Sequence, residues 1–289
     1  MAPSLLACLM APAAAVAAPV KQQVLTTSAA SVASYWTPAR MRAAQPADRV
    51  IGAKHTSKPR PSKQAATWSS FEINTPYTDQ PTSTNGKVFF TLDGNDYMCS
   101  GTALLSANKS VVWTAGHCVN AGPGAYATKW EFVPAYKDGA APFGEFVART
   151  LLTTPEFRTA GNLGYDEGAA VVAPVNGTAL TDAVGGRGIA FGYDRSQQFQ
   201  SHGYPAAPPF NGERQWECDS PLAQSDARQL PQTMGIGCDM TGGSSGGGWI
   251  VGSDLYSVNS YGYQNQPNVM FGPYMDSEAQ ALYTAAASA

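Results

Sequence analysis

Two serines stand inside a glycine run in "MTGGSSGGGWI" (Met240–Ile250). A flexible linker is a poor reading, because apolar strand-like segments flank it, "TMGIGCDM" (Thr233–Met240) before and "GWIVG" (Gly248–Gly252) after. A phosphate loop needs Lys-Ser/Thr behind its glycines, and here Trp249-Ile250 follows. What remains is a tight turn that presents a serine and supplies backbone N–H donors to a developing oxyanion, each donor worth about 10²–10³ in rate. A serine attacks carbonyls only with a base at hand. Histidine is scarce, at His55, His117 and His202. The pattern Gly242-x-Ser244-x-Gly246 would favour Ser244, but that arrangement needs a histidine later in the chain, and none follows residue 245. A base must therefore precede the serine.

His117 lies in "VVWTAGHCV" (Val111–Val119), after a buried-looking strand and beside Cys118. A lone histidine at a strand end is commonly structural. A rigid, disulfide-anchored element is nonetheless where a general base belongs. Acids between His117 and the serines that could orient the imidazole are Asp138, Asp166, Asp182, Asp194, Asp219, Asp226 and Asp239. Asp166 stands out in "YDEGAAVVAPV" (Tyr165–Val175), at the mouth of a small, apolar strand where the dielectric is low. Glu167 would need a longer reach.

The elements that must position these groups read as β. "KVFFTL" (Lys87–Leu92), the turn "DGND" (Asp93–Asp96) and "YMCSGTALL" (Tyr97–Leu105) predict a hairpin. "SVVWTA" (Ser110–Ala115), "EFVPAY", "GEFVARTLL" and "GAAVVAPV" add short strands between Gly/Pro-rich turns, the spacing of barrels or a sandwich. "DSEAQALYTAAASA" (Asp276–Ala289) reads as a terminal helix capped by Asp276 or Ser277.

Composition bounds the class. Aromatic residues at 10% and apolar residues at 44% exclude a disordered chain, and 13% charged residues is low. The net charge of −3 is uneven: residues 1–63 hold eight Lys/Arg and one acid, +7, which leaves −10 for the rest. An acidic body with a basic leader excludes nucleic acid as the body's partner and suits a leader that covers the body. The apolar Leu5–Ala18 with Ala15-Val16-Ala17 predicts a signal peptide over 1–17, although no Lys or Arg precedes it. No later stretch reaches the ~20 apolar residues of a membrane span. Residues 18–66 read as a leader whose one ordered piece is "SYWTPARMRAA" (Ser34–Ala44), a short helix begun at Thr37-Pro38. With Cys8 removed by export, Cys99, Cys118, Cys218 and Cys238 permit two disulfides in three connectivities. Local pairing closes two loops of similar size, each worth roughly 3 kcal/mol. Close ligand spacing for a metal is missing from the cysteine pattern, and neither metal nor organic cofactor is expected.

Taken together, "CSGTALLS…VVWTAGHCV", "YDEGAAVV", "GYPA", "CDMTGGSSGGGWI" and "SVNSYGY" resemble the chymotrypsin/trypsin-like serine peptidases, on the secreted bacterial branch near the glutamyl endopeptidases. The resemblance covers about residues 85–275, and "YWTPARM" is similar to the propeptide of secreted actinobacterial members. It implies an all-β fold of two six-stranded antiparallel β-barrels, 67–185 and 186–275, followed by the short helix 276–289. It implies His117 as base, Asp166 as its orienting acid, Ser245 rather than Ser244 as nucleophile, and the N–H groups of Gly243 and Ser245 as oxyanion hole. Cys99–Cys118 corresponds to the disulfide bracketing the catalytic histidine, and Cys218–Cys238 is the remaining pair. Ser260-Tyr261-Gly262 matches the segment that pairs with substrate backbone.

Three positions depart from the pattern. Ser244 replaces the aspartate that trypsin-type members use to bind a new N-terminal amine. "DRVIG" (Asp48–Gly52) offers such an amine at Val50, but Val50 is 49 residues before Cys99, so loss of the whole leader near 60–70 fits better than cleavage at Arg49. Gly248 stands where a proline is usual. The pocket strand Val258-Asn259-Ser260 lacks the histidine of Glu-specific members, and Asp239, six residues before Ser245, hints at basic side chains instead. The expected protein is a secreted, monomeric serine endopeptidase made as a proenzyme, acting on polypeptides and covered by its own propeptide, with no membrane contact after signal removal. The rival is a catalytically silent homologue that serves as a binding or adhesion module.

Overall fold

The computed structural model describes residues 19–47 and 68–289. The signal peptide expected at 1–17, Cys8, the Asp48–Gly52 motif with Arg49 and Val50, and His55 lie outside the described residues. Residues 19–47 hold more structure than their composition suggested: strand β1 (Gln22–Val24), helix α1 (Ala29–Tyr35), helix α2 (Pro38–Ala43) and strand β2 (Gln45–Pro46). Each helix begins on a side-chain cap. Ser28 accepts from Ser31 N, and Thr37 accepts from Arg40 N with Pro38 at the first helical position, as its sequence predicted.

After the short strand β3 (Phe71–Glu72), β4 (Asn85–Leu92) and β5 (Asn95–Leu104) form the expected hairpin, joined by Asp93-Gly94 with φ of 49° and 81°. Positive φ at both positions matches the right-handed twist of the strands, which is why Asp-Gly stands there. β6 (Val111–Thr114), β7 (Thr128–Pro134), β8 (Phe146–Thr153) and β9 (Gly168–Val172) complete the set, with helix α3 (Pro155–Ala160) between β8 and β9. Pairing runs β4-β5-β6-β9-β8-β7 and back to β4, all antiparallel, so the six strands close into a barrel without free edges. Alternate residues fill it: Val88 and Phe90 of β4 and Trp130 and Phe132 of β7 point into the main core. Phe89 and Val133, one position out of phase, belong to a second buried cluster with Trp36 on the barrel's outer face. All eight residues of β4 are consequently buried.

Helix α4 (Leu180–Val184) leads to a nine-stranded sheet of β3 with β10 (Gly188–Ile189), β11 (Gln198–Gly203), β12 (Trp216–Asp226), β13 (Thr233–Gly237), β14 (Gly248–Val251), β15 (Asp254–Val258), β16 (Tyr261–Tyr263) and β17 (Gln266–Gly272). Its central path is β15-β14-β11-β12-β13-β17. The two ends of that path meet through Ser260 N, which donates to Phe271 O at 2.9 Å, and Ser257 Oγ, which donates to Pro273 O at 2.6 Å. The second sheet therefore curls into a barrel closed by a seam rather than by a full ladder. Cys99–Cys118 and Cys218–Cys238 are the two disulfides.

The terminal helix α5 (Ser277–Ser288) is capped by Asp276, which accepts from Glu278 N. It turns Ala279, Leu282 and Ala286 onto the first barrel's core. Leu282→Ala is expected to destabilise the fold by about 2–4 kcal/mol, while Thr284→Ala on the exposed face changes it by less than about 0.5 kcal/mol; urea denaturation midpoints of the two variants check this.

Candidate active site

Strand β6 ends at Thr114, and the chain tightens into a 3₁₀ turn, Gly116–Cys118, that carries His117. Gly116 is needed because a side chain there would press on Phe157 (2.8 Å) and on Asp166 Oδ1 (2.9 Å). Asp166 closes a second 3₁₀ turn, Leu163–Tyr165, directly before β9. Because β6 and β9 are paired neighbours, the two turns meet at one end of the barrel. Asp166 Oδ1 accepts the His117 backbone N–H at 2.8 Å, and Oδ2 lies 2.8 Å from His117 Nδ1. Facing a carboxylate, Nδ1 carries the proton, which leaves the lone pair of the neutral ring on Nε2. Ser260 Oγ donates to Oδ2 at 2.5 Å. Burial alone would push the Asp166 carboxyl up. The charge of His117 and these three hydrogen bonds outweigh it and hold the group below the usual carboxylate range.

Ser245 is buried to 5% exposure in the glycine turn between β13 and β14. Its carbonyl accepts from Ser100 N at 2.7 Å and lies 3.7 Å from Cys118 Sγ. The sulfurs of Cys99 and Cys118 lie within 4.8 Å of a His117 ring nitrogen. Ser245 and His117 are thereby fixed to the same short piece of scaffold. Ser244 is committed elsewhere, because its Oγ donates to Thr241 O at 2.8 Å within its own turn. The turn tolerates no side chains at two of its glycines. Gly243 has φ +98° and Gly246 φ +81°, and a Cβ at either would collide with backbone, Tyr204 O for the first and Ser100 O for the second. The N–H groups of Gly243 and Ser245 meet no acceptor among the described residues.

One residue that sequence reading passed over organises this turn. Asn259 is fully buried. Its Oδ1 accepts from Trp249 Nε1 and from Ser201 Oγ, both at 2.7 Å, and its Nδ2 donates to His202 O at 2.9 Å and Ser244 O at 3.1 Å. Its own N–H donates to Gly247 O, and its carbonyl accepts from Gly246 N. Every polar group of the residue is matched, and both sides of the nucleophile turn are tied to β11. Asn259 lies just past the end of β15 in "SVNS", with Ser257 and Ser260 close on either side, so its polarity does not stand out in the sequence.

The tentative substrate residues separate. Ser260 spends its hydroxyl on Asp166 and its N–H on Phe271, so it supports the acid. Tyr261 stacks on Phe271 and donates to Asp226 Oδ2 at 2.9 Å, while Gly262 is exposed. Asp239 is half-buried and accepts from the Ser70 N–H at 2.7 Å. The remaining aspartates stay away from His117: Asp138 pairs with Arg214, Asp182 with Lys109, and Asp226 with Arg228. Asp194 accepts from Ser196 N, and Asp219 from Gln198 Nε2. Glu167 is buried with neither carboxyl oxygen hydrogen-bonded, and burial followed by the nearby Asp276 and Asp166 pushes its pKa well up. His202 is pushed down to about 3 by burial and by Arg187, which leaves it neutral. A His117–Cys99–Cys118 metal set is closed off, because the two sulfurs are bonded to each other.

The chain matches no protein-family model and no curated protein. Solved structures do resemble it. The protease Anisep from Arthrobacter nicotinovorans is 46% identical with a TM-score of 0.70, over 73% of this chain and 98% of that one. A thermostable serine protease from an extremophilic microorganism is 42% identical with a TM-score of 0.68, over 71% of this chain and 97% of that one. A Glu endopeptidase, at 19% identity and TM-score 0.63 over 76% and 97%, bears on the fold alone. Fold and relatives define the class as a serine-type endopeptidase. The chain belongs to the chymotrypsin-like bacterial serine proteases.

Replacing Asn259 by Ala takes the side-chain partner from two buried donors, Trp249 Nε1 and Ser201 Oγ, and from the His202 carbonyl, while Ser244 O keeps the Gly247 N–H. Asn259→Ala is expected to cost about 3 kcal/mol or more, read as a lowered denaturation midpoint.

Proposed function

We propose that His117, Asp166 and Ser245 form the catalytic triad of a secreted serine endopeptidase made as a proenzyme. The carrying observation is the His117–Asp166 pair, 2.8 Å through the ring and 2.8 Å through the backbone, set beside Ser245 on the Cys99–Cys118 scaffold. In this reading His117 Nε2 takes the Ser245 proton as Oγ attacks the peptide carbonyl. The N–H groups of Gly243 and Ser245 hold the oxyanion, His117 returns the proton to the leaving amine, and water then releases the acyl group. Asp166, kept ionised by its partners, stabilises the imidazolium as it forms.

Substrates are polypeptides. Asp239, which a preference for Lys or Arg would need, spends an oxygen on Ser70, and this favours an anchoring role for it. The leader reading draws support from coverage: the two serine-protease relatives span nearly all of their own length but under three quarters of this chain. Trp68 lies with its ring against Gly237 of the second sheet. Two disulfides suit an exported protein.

Ser245→Ala is expected to lower kcat/KM by roughly 10⁴-fold or more and to abolish fluorophosphonate labelling. Ser244→Ala keeps activity within about tenfold, since it removes one local hydrogen bond. Label that survives Ser245→Ala sinks the assignment. Activity should also fall on acidification as the imidazole takes up a proton, and a flat profile from about pH 5 to 8 argues against His117 as base. N-terminal sequencing of the secreted form should place its start within about ten residues of Trp68.

A further inference from the structure

Residues 19–47 are built into the first barrel as a working part of its outer face. β1 pairs antiparallel with the part of β8 beyond its short pairing to β7, Gln22 opposite Leu152 to Val24 opposite Thr150. Trp36, 1% exposed, packs with Phe89, Met98, Val133, Tyr136, Val147 and Tyr204, and its Nε1 donates to Lys129 O at 2.5 Å. Tyr35 OH donates to Asp96 Oδ1 at 2.6 Å, and Arg40 pairs with Asp96 at 2.9 Å. β2 then runs parallel to β5, with Gln45 against Tyr97 and Pro46 against Met98. That stretch of β5 has β4 on one side only, because β6 begins to pair at Thr102. Cys99 and Ser100 follow at once, and Ser100 N holds the Ser245 carbonyl. The Met98 methyl lies 3.0 Å from where a Gly243 side chain would begin. The leader thus fills the strand edge that runs into the nucleophile turn, and a second polypeptide cannot add to that edge while it is there.

Beneath the leader lies a group that nothing else in the molecule accounts for. Glu131 is fully buried, and neither carboxyl oxygen has a hydrogen-bond partner among the described residues. It stands opposite Phe89 on β4 and Val147 on β8, both members of the Trp36 cluster. On the same face of β7 its neighbours are Val133, also in that cluster, and Lys129, which contacts Trp36 by its carbonyl and the Tyr35 ring by its ammonium at 4.1 Å. The charged groups around it are otherwise engaged. Lys87 pairs with Glu213, Arg40 with Asp96, and Lys129 with the Tyr35 ring; Arg42 is exposed. The one further acid nearby, Glu145, is a like charge. Burial, then Glu145, pushes Glu131 up to about 9.

We propose that residues 19–47 are a self-supplied inhibitor that seals the β5 edge beside the nucleophile turn and is shed as pH rises, when Glu131 beneath it ionises. The proposal rests on the reading of this segment as a protease leader. The sign follows from linkage. Glu131 has a higher pKa with the leader docked than it has once open to water, so docking takes up a proton. Docking is strongest below the ordinary carboxylate range and weakens as pH climbs toward 9, by at most tenfold per pH unit. The basic leader and acidic body favour docking throughout, so Glu131 sets the pH dependence rather than the attraction.

The test uses the full chain carrying Ser245→Ala, which keeps the leader attached, with and without Glu131→Gln. Hydrogen exchange of the Val32, Trp36, Met41 and Ala44 amides is followed from pH 6 to 9 and corrected for intrinsic rates. With Glu131 present, protection should fall at least about tenfold over this range, and with Gln it should stay within about twofold. Glu131→Leu serves equally if the Gln variant does not fold. An equal fall in both chains, or none with Glu131 present, overturns the switch. In a second arm, synthetic peptide 19–47 is added to the processed enzyme. Inhibition at pH 6.5 should weaken by about tenfold or more at pH 8.5, and no inhibition at pH 6.5 overturns the sealing of the edge. The exchange arm uses an inactive chain, so a failed triad assignment leaves its outcome intact.

Discussion

A carboxylate with no exposed surface has to be compensated where it stands, and the architecture converges on doing this for Asp166. Its two oxygens draw on the His117 ring and backbone from the first barrel and on the Ser260 hydroxyl from the second. An uncompensated buried charge costs several kcal/mol, so the two barrels are held to a common register by an electrostatic demand as well as by apolar contact. Glu167, one residue on, shows the alternative. Among the described residues no donor reaches its carboxyl oxygens, and burial, followed by Asp276 and Asp166, pushes its pKa well up. Two adjacent buried acids are shifted in opposite directions, and the hydrogen bonds to Asp166 are the difference between them.

The same logic governs the glycine turn without charge. Two backbone hydrogen bonds close within the turn, Ser244 N to Thr241 O and Gly247 N to Ser244 O, and the remaining groups need partners from outside. Asn259 supplies them from one side and Ser100 from the other, where its Oγ donates to Gly243 O and its N–H holds Ser245 O. Among the described residues the N–H groups of Gly243 and Ser245 are left over from this matching, the condition that the proposed oxyanion hole requires. The glycines are there because the partners approach so closely.

How much of this was legible in the sequence depended on the range of the interaction. The Asp93-Gly94 hairpin and the Thr37-Pro38 helix start rest on contacts within a few residues and were predicted from the sequence. The sequence also narrowed the last helix's cap to Asp276 or Ser277, and the structure gives Asp276. The motifs that hold His117, Asp166 and Ser245 are local, and the structure sets Asp166 on the His117 ring and the Ser245 carbonyl beside Cys118. The Asn259 network reaches 58 residues back to Ser201, the Asp239–Ser70 contact spans 169, and no local pattern announces either. Ser260 was read for its backbone, whereas its hydroxyl carries the contact to the acid. The leader was read as a mostly irregular cover because its ordered elements are short and their apolar faces make sense only against β4, β5, β7 and β8.

That last misreading has a physical consequence for the body. A barrel of six strands has an inside and an outside, and a free-standing one keeps its outward positions polar. Here Phe89, Val133 and Val147 point outward and are apolar, and the acid between them is unpaired. These are the residues of an interface, and their pattern on β4, β7 and β8 makes sense only when Trp36 is in place. A body that later works without the leader must tolerate this face in water, and an ionised Glu131 at its centre makes that possible. In the proposed switch the same carboxyl, once ionised, opposes the leader's return, because redocking would bury its charge without a partner among the described residues.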